Sequence, residues 1–95
     1  MNEVLQNIQK AVERAAECPA VHVESVPVLE VFGGQTVWEG VVEAFTLLGH
    51  PKAKRAYGWA WQDGKEARYV AVLEIPPVTS PNMAVRAAIA AGAQR

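Results

Sequence analysis

The chain has 95 residues, 51% of them hydrophobic and 20% charged, which is enough for one domain with a modest core and too few for two. Nine lysines and arginines against ten aspartates and glutamates give a net charge of −1, which excludes a general attraction to nucleic acid or to anionic membranes. One cysteine and two histidines cannot form an internal disulfide or a zinc ligand set. We therefore expect a single domain over residues 1–95, without a metal or a cofactor.

The first predicted element is an amphipathic helix. Apolar residues recur at helical spacing from Val4 to Ala16, and polar residues occupy the opposite side. Pro19 disfavours helical geometry at Cys18, so the helix is predicted to end at about Glu17. Charges within this segment argue against a signal peptide, and no apolar run approaches the roughly 18 residues that span a bilayer. We expect a cytoplasmic protein with no membrane segment.

The next two elements are predicted to form a β-hairpin. Residues 21–32 have the alternation of a strand, and Pro27, which cannot donate a ladder hydrogen bond, favours a position at the sheet edge. Gly33 and Gly34 suit a two-residue turn, because that turn needs positive φ values. Residues 36–48 are predicted to form the return strand.

A second hairpin and a helix complete the predicted fold. Residues 54–62 and 67–75 are predicted to be strands joined by a turn at Asp63-Gly64, and Ser80 with Pro81 marks the start of a helix over 83–91. The predicted class is α+β: a helix, a four-stranded antiparallel meander and a second helix. Both helices are expected on one face of a curved sheet.

The third strand has two very different faces, because side chains alternate along a strand. One face carries three rings and the other only small residues: Tyr57, Trp59 and Trp61 against Ala56, Gly58 and Ala60. The small face favours close packing of the helices, which would leave the ring face open. Apolar area left in water forgoes roughly 25 cal/mol per Å². We therefore expect the ring face to be covered by a second copy of the chain or by a ligand.

The register of the first three strands decides which residues join that face. A uniform register from the glycine turn places Leu29 opposite Trp38. The connection between the second and third strands is longer and leaves their register open, but its spacing permits Phe45 opposite Tyr57. A slip of one residue would exchange the two faces.

A uniform register from the second turn places Trp59 opposite Arg68. Rings, carboxylates and apolar residues would then share one face, which suits the binding of an organic cation by cation–π attraction and charge. The predicted ligand- or partner-binding residues are Tyr57, Trp59, Trp61, Glu39, Glu43, Val41, Phe45 and Arg68. With no catalytic motif found, the sequence favours a non-catalytic binding or interaction module. We expect a homodimer that recognises a cationic or aromatic small molecule or a protein partner.

An enzyme is one alternative. Glu24 and Glu43 are predicted to oppose each other with His22 nearby, and opposed carboxylates can separate their pKa values into an acid and a base. No nucleophile or oxyanion device accompanies them in the sequence.

A nucleic-acid-binding domain is the other alternative. The turn from His50 to Arg55 is basic and is followed by aromatic residues, as in single-strand binding platforms. The order of elements is similar in part to that of double-stranded RNA-binding domains, which run helix, three strands, helix. The chain departs from that family in its extra strand and in residues 79–82, which lack a lysine cluster. We therefore expect no nucleic-acid partner.

Overall fold

The predicted order of elements is confirmed by the computed structural model, which describes residues 3–92 apart from the side chain of Asp63. The protein is α+β, with an open sheet of antiparallel strands in the order β1-β2-β3-β4. The elements are α1 (Glu3–Ala16), β1 (Ala20–Phe32), β2 (Gln35–Leu47), β3 (Arg55–Asp63), β4 (Glu66–Leu73) and α2 (Pro81–Ala90).

Both helices begin or end as their sequences predict. α1 ends just before Glu17, which adopts a left-handed φ of 56° and donates its N–H to the Glu13 carbonyl at 2.8 Å. Left-handed residues commonly close helices in this way. α2 begins with Pro81, and the Ser80 hydroxyl caps it by accepting from the Met83 N–H at 3.3 Å.

The first hairpin contains two bulges that the sequence did not reveal. The glycine turn pairs Phe32 with Gln35 as predicted, but Val37 has no opposite residue, so Glu30 and not Leu29 lies opposite Trp38. A second irregularity at Val23 restores the original register toward the base of the hairpin. The predicted pairing of Leu29 with Trp38 is therefore wrong, because an extra residue in one strand shifts every pair beyond it.

The two hairpins are joined by a short seam. β2 and β3 share four residue pairs, which include Ala44 with Tyr57 and Phe45 with Ala56, and the pairing ends at Glu43 with Gly58. The predicted pairing of Phe45 with Tyr57 is wrong by one residue. Because a shift of one residue moves every side chain to the other face, the prediction placed the side chains of β2 on the wrong side relative to those of β3.

The second hairpin turns one residue later than predicted. Asp63 pairs with Glu66 across Gly64 and Lys65, so Trp59 lies opposite Val70 and Trp61 lies opposite Arg68. The predicted pairing of Trp59 with Arg68 is wrong by two residues, and a shift of two leaves the assignment of faces unchanged.

The helices pack on opposite faces of the sheet, so their predicted placement on one face is wrong. α1 covers the small face of β3: a Cβ built on Gly58 would lie 2.6 Å from Ile8 Cγ2 and 3.0 Å from Val12 Cγ2. α2 covers the ring face, where Val85 packs in one buried cluster with Trp59. The reason is that both sheet faces are apolar, and each helix has one apolar stripe to bury.

Two buried clusters result, one on each side of the sheet. The α1 cluster contains Ile8, Val12, Ala16, Ala20, Phe45, Leu47, Ala53 and Ala56. The α2 cluster contains Val28, Val42, Ala44, Tyr57, Trp59, Val78, Ala84, Val85 and Ala88. Neither α1 nor α2 has the length and apolar character that crossing a lipid bilayer requires.

Candidate interaction surface

The rings of the third strand are mostly withdrawn from solvent. Trp59 is fully buried beneath α2, and its ring centroid lies 5.9 Å from that of Trp38. Trp61, nearer the tip of the second hairpin, is half-buried, and Arg68 opposite it is exposed. α2 therefore excludes water from Trp59, and the part of this face near the hairpin tip, at Trp61 and Arg68, stays in contact with solvent.

Tyr57 is also part of the core rather than of an open face. It is 2% exposed, and its hydroxyl donates a short hydrogen bond to the Glu74 carboxylate. Burial and the neighbouring carboxylate together raise the pKa of Tyr57 to about 12. The phenol is thus held neutral as a buried donor.

The remaining predicted site residues lie on the other side of the sheet. Phe45 is fully buried in the α1 cluster, while Val41 and Glu39 are exposed on the first hairpin. Glu43 shares their face because its neighbour Ala44 pairs with Tyr57 on the ring side. The rings and the carboxylates therefore do not form one surface.

Glu43 anchors a small polar cluster. One of its oxygens, Oε1, contacts His22 Nε2 at 2.8 Å and accepts a short hydrogen bond from the Ser25 hydroxyl. Because both groups contact the same carboxylate oxygen, no proton relay links the histidine to the serine as nucleophilic catalysis requires. The rings of Phe45 and His22 pack in a T-shaped arrangement with centroids 5.4 Å apart, which completes the cluster.

The carboxylate pair behind the enzyme alternative is not formed. Glu24 lies opposite Ala44 on the α2 side, so its partner is Arg55, at 3.5 Å, and not Glu43. The predicted pairing of Glu24 with Glu43 is wrong for the same reason as the predicted pairing of Leu29 with Trp38. The bulges shift the register of the first hairpin, so Ser25 lies opposite Glu43.

The basic turn has a structural role at His50. His50 Nδ1 accepts hydrogen bonds from the backbone N–H groups of Lys52 and Ala53, at 3.1 and 2.8 Å. These bonds close the connection between the hairpins, and Arg55 at its end is engaged by Glu24. Lys52 remains exposed to solvent.

An open apolar surface does exist, but on the first hairpin. We call it the hairpin surface; its residues are Pro27, Leu29, Val31, Phe32, Val37 and Val41. Phe32 is 80% exposed, and the four other large apolar side chains are each about half exposed. A shallow depression of about 350 Å³ between Leu29 and Val41 continues this surface along the α1 side of the sheet. Pro27, Leu29 and Val41 line this depression, whereas Val31, Phe32 and Val37 lie along a groove beside α2. Exposed apolar side chains grouped in this way mark interaction sites in soluble proteins.

The tip of the hairpin surface adjoins α2 through an ion pair between a buried carboxylate and an exposed arginine. Glu30 is 5% exposed and accepts hydrogen bonds from Arg86 Nε at 2.6 Å and from Asn82 Nδ2 at 3.3 Å. The hydrogen bond from Arg86 is the main reason that the pKa of Glu30 is lowered, against the opposing effect of burial. An apolar groove of about 460 Å³ lies between this pair, Phe32 and Ile89.

Sequence reasoning missed this surface although a signal was present. The segment from Val26 to Val31 carries apolar residues on both faces of the strand, as in a strand that is covered on both sides. α2 covers one of those sides, and α1 lies over β3 and β4 and leaves the other side bare.

No group of three or more histidine, cysteine, aspartate or glutamate side chains within residues 3–92 is arranged to hold a metal ion.

Comparisons with protein-family models, with curated proteins and with solved structures found no match to this chain.

Proposed function

We propose that the protein is a non-catalytic interaction module that forms a homodimer by packing the hairpin surface of one copy against that of another. The observation that carries the proposal is the exposure of five large apolar side chains on one hairpin: Leu29 and Val41 on the α1 side of the sheet, and Val31, Phe32 and Val37 along the groove beside α2. Their association removes apolar area from water at roughly 25 cal/mol per Å².

The charges around the hairpin surface favour a second copy as the partner. The hairpin carries four glutamates and no lysine or arginine. If these glutamates were unpaired, their charges would repel those of an identical copy. Glu24, Glu30 and Glu43 are each engaged within the chain, by Arg55, by Arg86, and by His22 with Ser25. Of these four glutamates, only Glu39 has neither an ion-pair partner nor a side-chain hydrogen-bond partner among the described residues. Glu39 lies opposite Leu29 and lines the depression beside Val41, so two copies that meet about a two-fold axis must be offset enough to keep their Glu39 carboxylates apart.

The edge of β1 favours contact between faces over contact between edges. Pro27 removes a backbone donor from this edge strand, and the bulge at Val23 breaks its regular ladder. Proteins use both devices to prevent a free edge from adding another strand. The dimer therefore buries side chains and does not extend the sheet.

The test compares two substitutions of equal exposure in the same strand. Leu29, in the hairpin surface, and Val21, outside it, are both 51% exposed. Sedimentation equilibrium is expected to give a dimer for the wild type. Leu29→Lys should weaken the dimer at least tenfold, and Val21→Lys should change its dissociation constant by less than about twofold.

Two results would contradict the proposal. The first is a wild-type chain that stays monomeric at about 100 μM, a concentration at which micromolar dimers are well populated. The second is an equal loss of dimer in both lysine variants, which would place the contact elsewhere.

A further inference from the structure

A cationic groove lies between α1 and the outer strand β4, away from the hairpin surface. It has a volume of about 570 Å³ and is lined by Asn7, Lys10, Ala11, Arg14, Ala67, Arg68 and Tyr69. Three of these residues are basic, and no described residue that lines the groove is acidic. In a chain with a net charge of −1, this is a local concentration of positive charge.

The helix places its polar groups along one line. Asn7, Lys10, Ala11 and Arg14 stand at positions i, i+3, i+4 and i+7 of α1, next to the buried stripe that carries Ile8 and Val12. Ala11 on the helix and Ala67 on the strand are small, so the groove stays open between the longer side chains.

Lys10 and Arg14 are available to a ligand. Neither forms an ion pair with any residue of the described range 3–92. Residues one helical turn apart have Cβ atoms about 5–6 Å from each other. Two cations at that spacing match a ligand with two anionic groups better than they match a ligand with one.

Tyr69 adds an uncharged donor to the groove. Asn7 Nδ2 donates a hydrogen bond to the Tyr69 hydroxyl oxygen at 3.2 Å. Since that oxygen is the acceptor, its own hydrogen is directed elsewhere and can be donated to a ligand oxygen. Both residues are half-buried, so this hydrogen bond fixes the donor in place.

We propose that this groove binds a small organic molecule carrying two phosphate groups, held by Lys10 and Arg14 and by the Tyr69 hydroxyl. Arginine and lysine are the side chains that proteins use for phosphate oxygens, and arginine binds them through two N–H groups. The groove is larger than a single inorganic ion needs and falls within the roughly 300–1,000 Å³ range of small-molecule sites. This site does not depend on the proposed dimer.

The probe for the test is inorganic pyrophosphate, measured by isothermal titration calorimetry at low ionic strength. The double variant Lys10→Gln with Arg14→Gln should weaken binding at least tenfold. The matched control, Lys52→Gln with Lys54→Gln, removes the same charge from exposed lysines outside the groove and should change binding by less than about twofold. Tyr69→Phe keeps the ring and should weaken binding severalfold.

Four results would overturn the proposal. Pyrophosphate does not bind, or both double variants weaken its binding equally, which would indicate non-specific attraction to exposed basic side chains anywhere on the chain. Citrate binds as tightly as pyrophosphate, which would remove the preference for phosphate. A short RNA duplex binds about a hundredfold more tightly than pyrophosphate, with the same variants weakening it, which would make the groove a nucleic-acid contact.

Discussion

The ring of Trp38 packs against the ring of Trp59 with centroids 5.9 Å apart and planes at 59° to each other. The two residues belong to different hairpins, and they meet where β2 and β3 no longer share backbone pairs. Beyond the last backbone pair of β2 and β3, side-chain packing beneath α2 therefore holds the two hairpins together.

Trp59→Ala is expected to destabilise the fold by about 3–5 kcal/mol, because a fully buried ring leaves a cavity among packed neighbours. Urea unfolding followed by circular dichroism measures the change. Trp61→Ala is the control, since its ring is half-buried and should cost less. An equal or larger loss for Trp61→Ala would contradict this description of the core.

Gly58→Ala is expected to cost about 1–3 kcal/mol, although alanine is intrinsically the better strand residue. The added methyl would lie 2.6 Å from Ile8 Cγ2, too close for contact without a shift of α1. The same substitution in an Ile8→Ala background should cost less, because that change removes Cγ2. Equal costs in the two backgrounds of this double-mutant cycle would show that the clash is absent.

Tyr57 makes stability fall at alkaline pH. Its pKa is raised to about 12 in the folded state, from 10 for the ordinary group, so the unfolded chain releases the proton first. The stabilisation is complete below about pH 10 and is lost as the pH rises through 12, by roughly 2–3 kcal/mol. Tyr57→Phe should flatten this slope in unfolding free energy against pH, whereas Tyr69→Phe should preserve it.

Glu30 makes stability fall in acid. Because its pKa is lowered below the ordinary 4.5, its contribution is present above that pH and is lost as the pH falls through the folded-state value. Glu30→Gln should cost about 1–2 kcal/mol at neutral pH, since the buried side chain loses its charge-assisted hydrogen bond from Arg86. It should also reduce the acid slope. Glu39→Gln, on the opposite strand and exposed, should change neither quantity.

The order of elements could be predicted because each one carries a local signal. Pro19 and Ser80 mark helix ends, and Gly33 with Gly34 gives the turn that pairs Phe32 with Gln35. The faces could not be predicted, because the bulge at Val37 leaves no trace in the alternation of residues. One extra residue there moved Trp38 to the side of the rings and left Leu29 on the side of α1.

Which helix covers which face of the sheet could not be predicted, for a related reason. The small residues around Gly58 correctly indicated close packing by a helix, but nothing local says which helix, and α1 and not α2 occupies that place. The exposed apolar surface is the part of the sheet that neither helix covers. Its location at Leu29 and Val41 on the first hairpin depends on tertiary packing and could not be predicted from the local sequence.

The four-pair seam between β2 and β3 also determines how the molecule opens. Each hairpin has a long ladder of its own, so a partial unfolding event that separates them breaks few backbone hydrogen bonds and keeps both hairpins intact. Because both buried clusters contain residues of both hairpins, we expect only the backbone hydrogen bonds of this seam, and not the hairpins as wholes, to open first. Among residues 43–46 and 55–58, deuterium should enter at the amides that bond across the seam sooner than at the ladder amides midway along either hairpin.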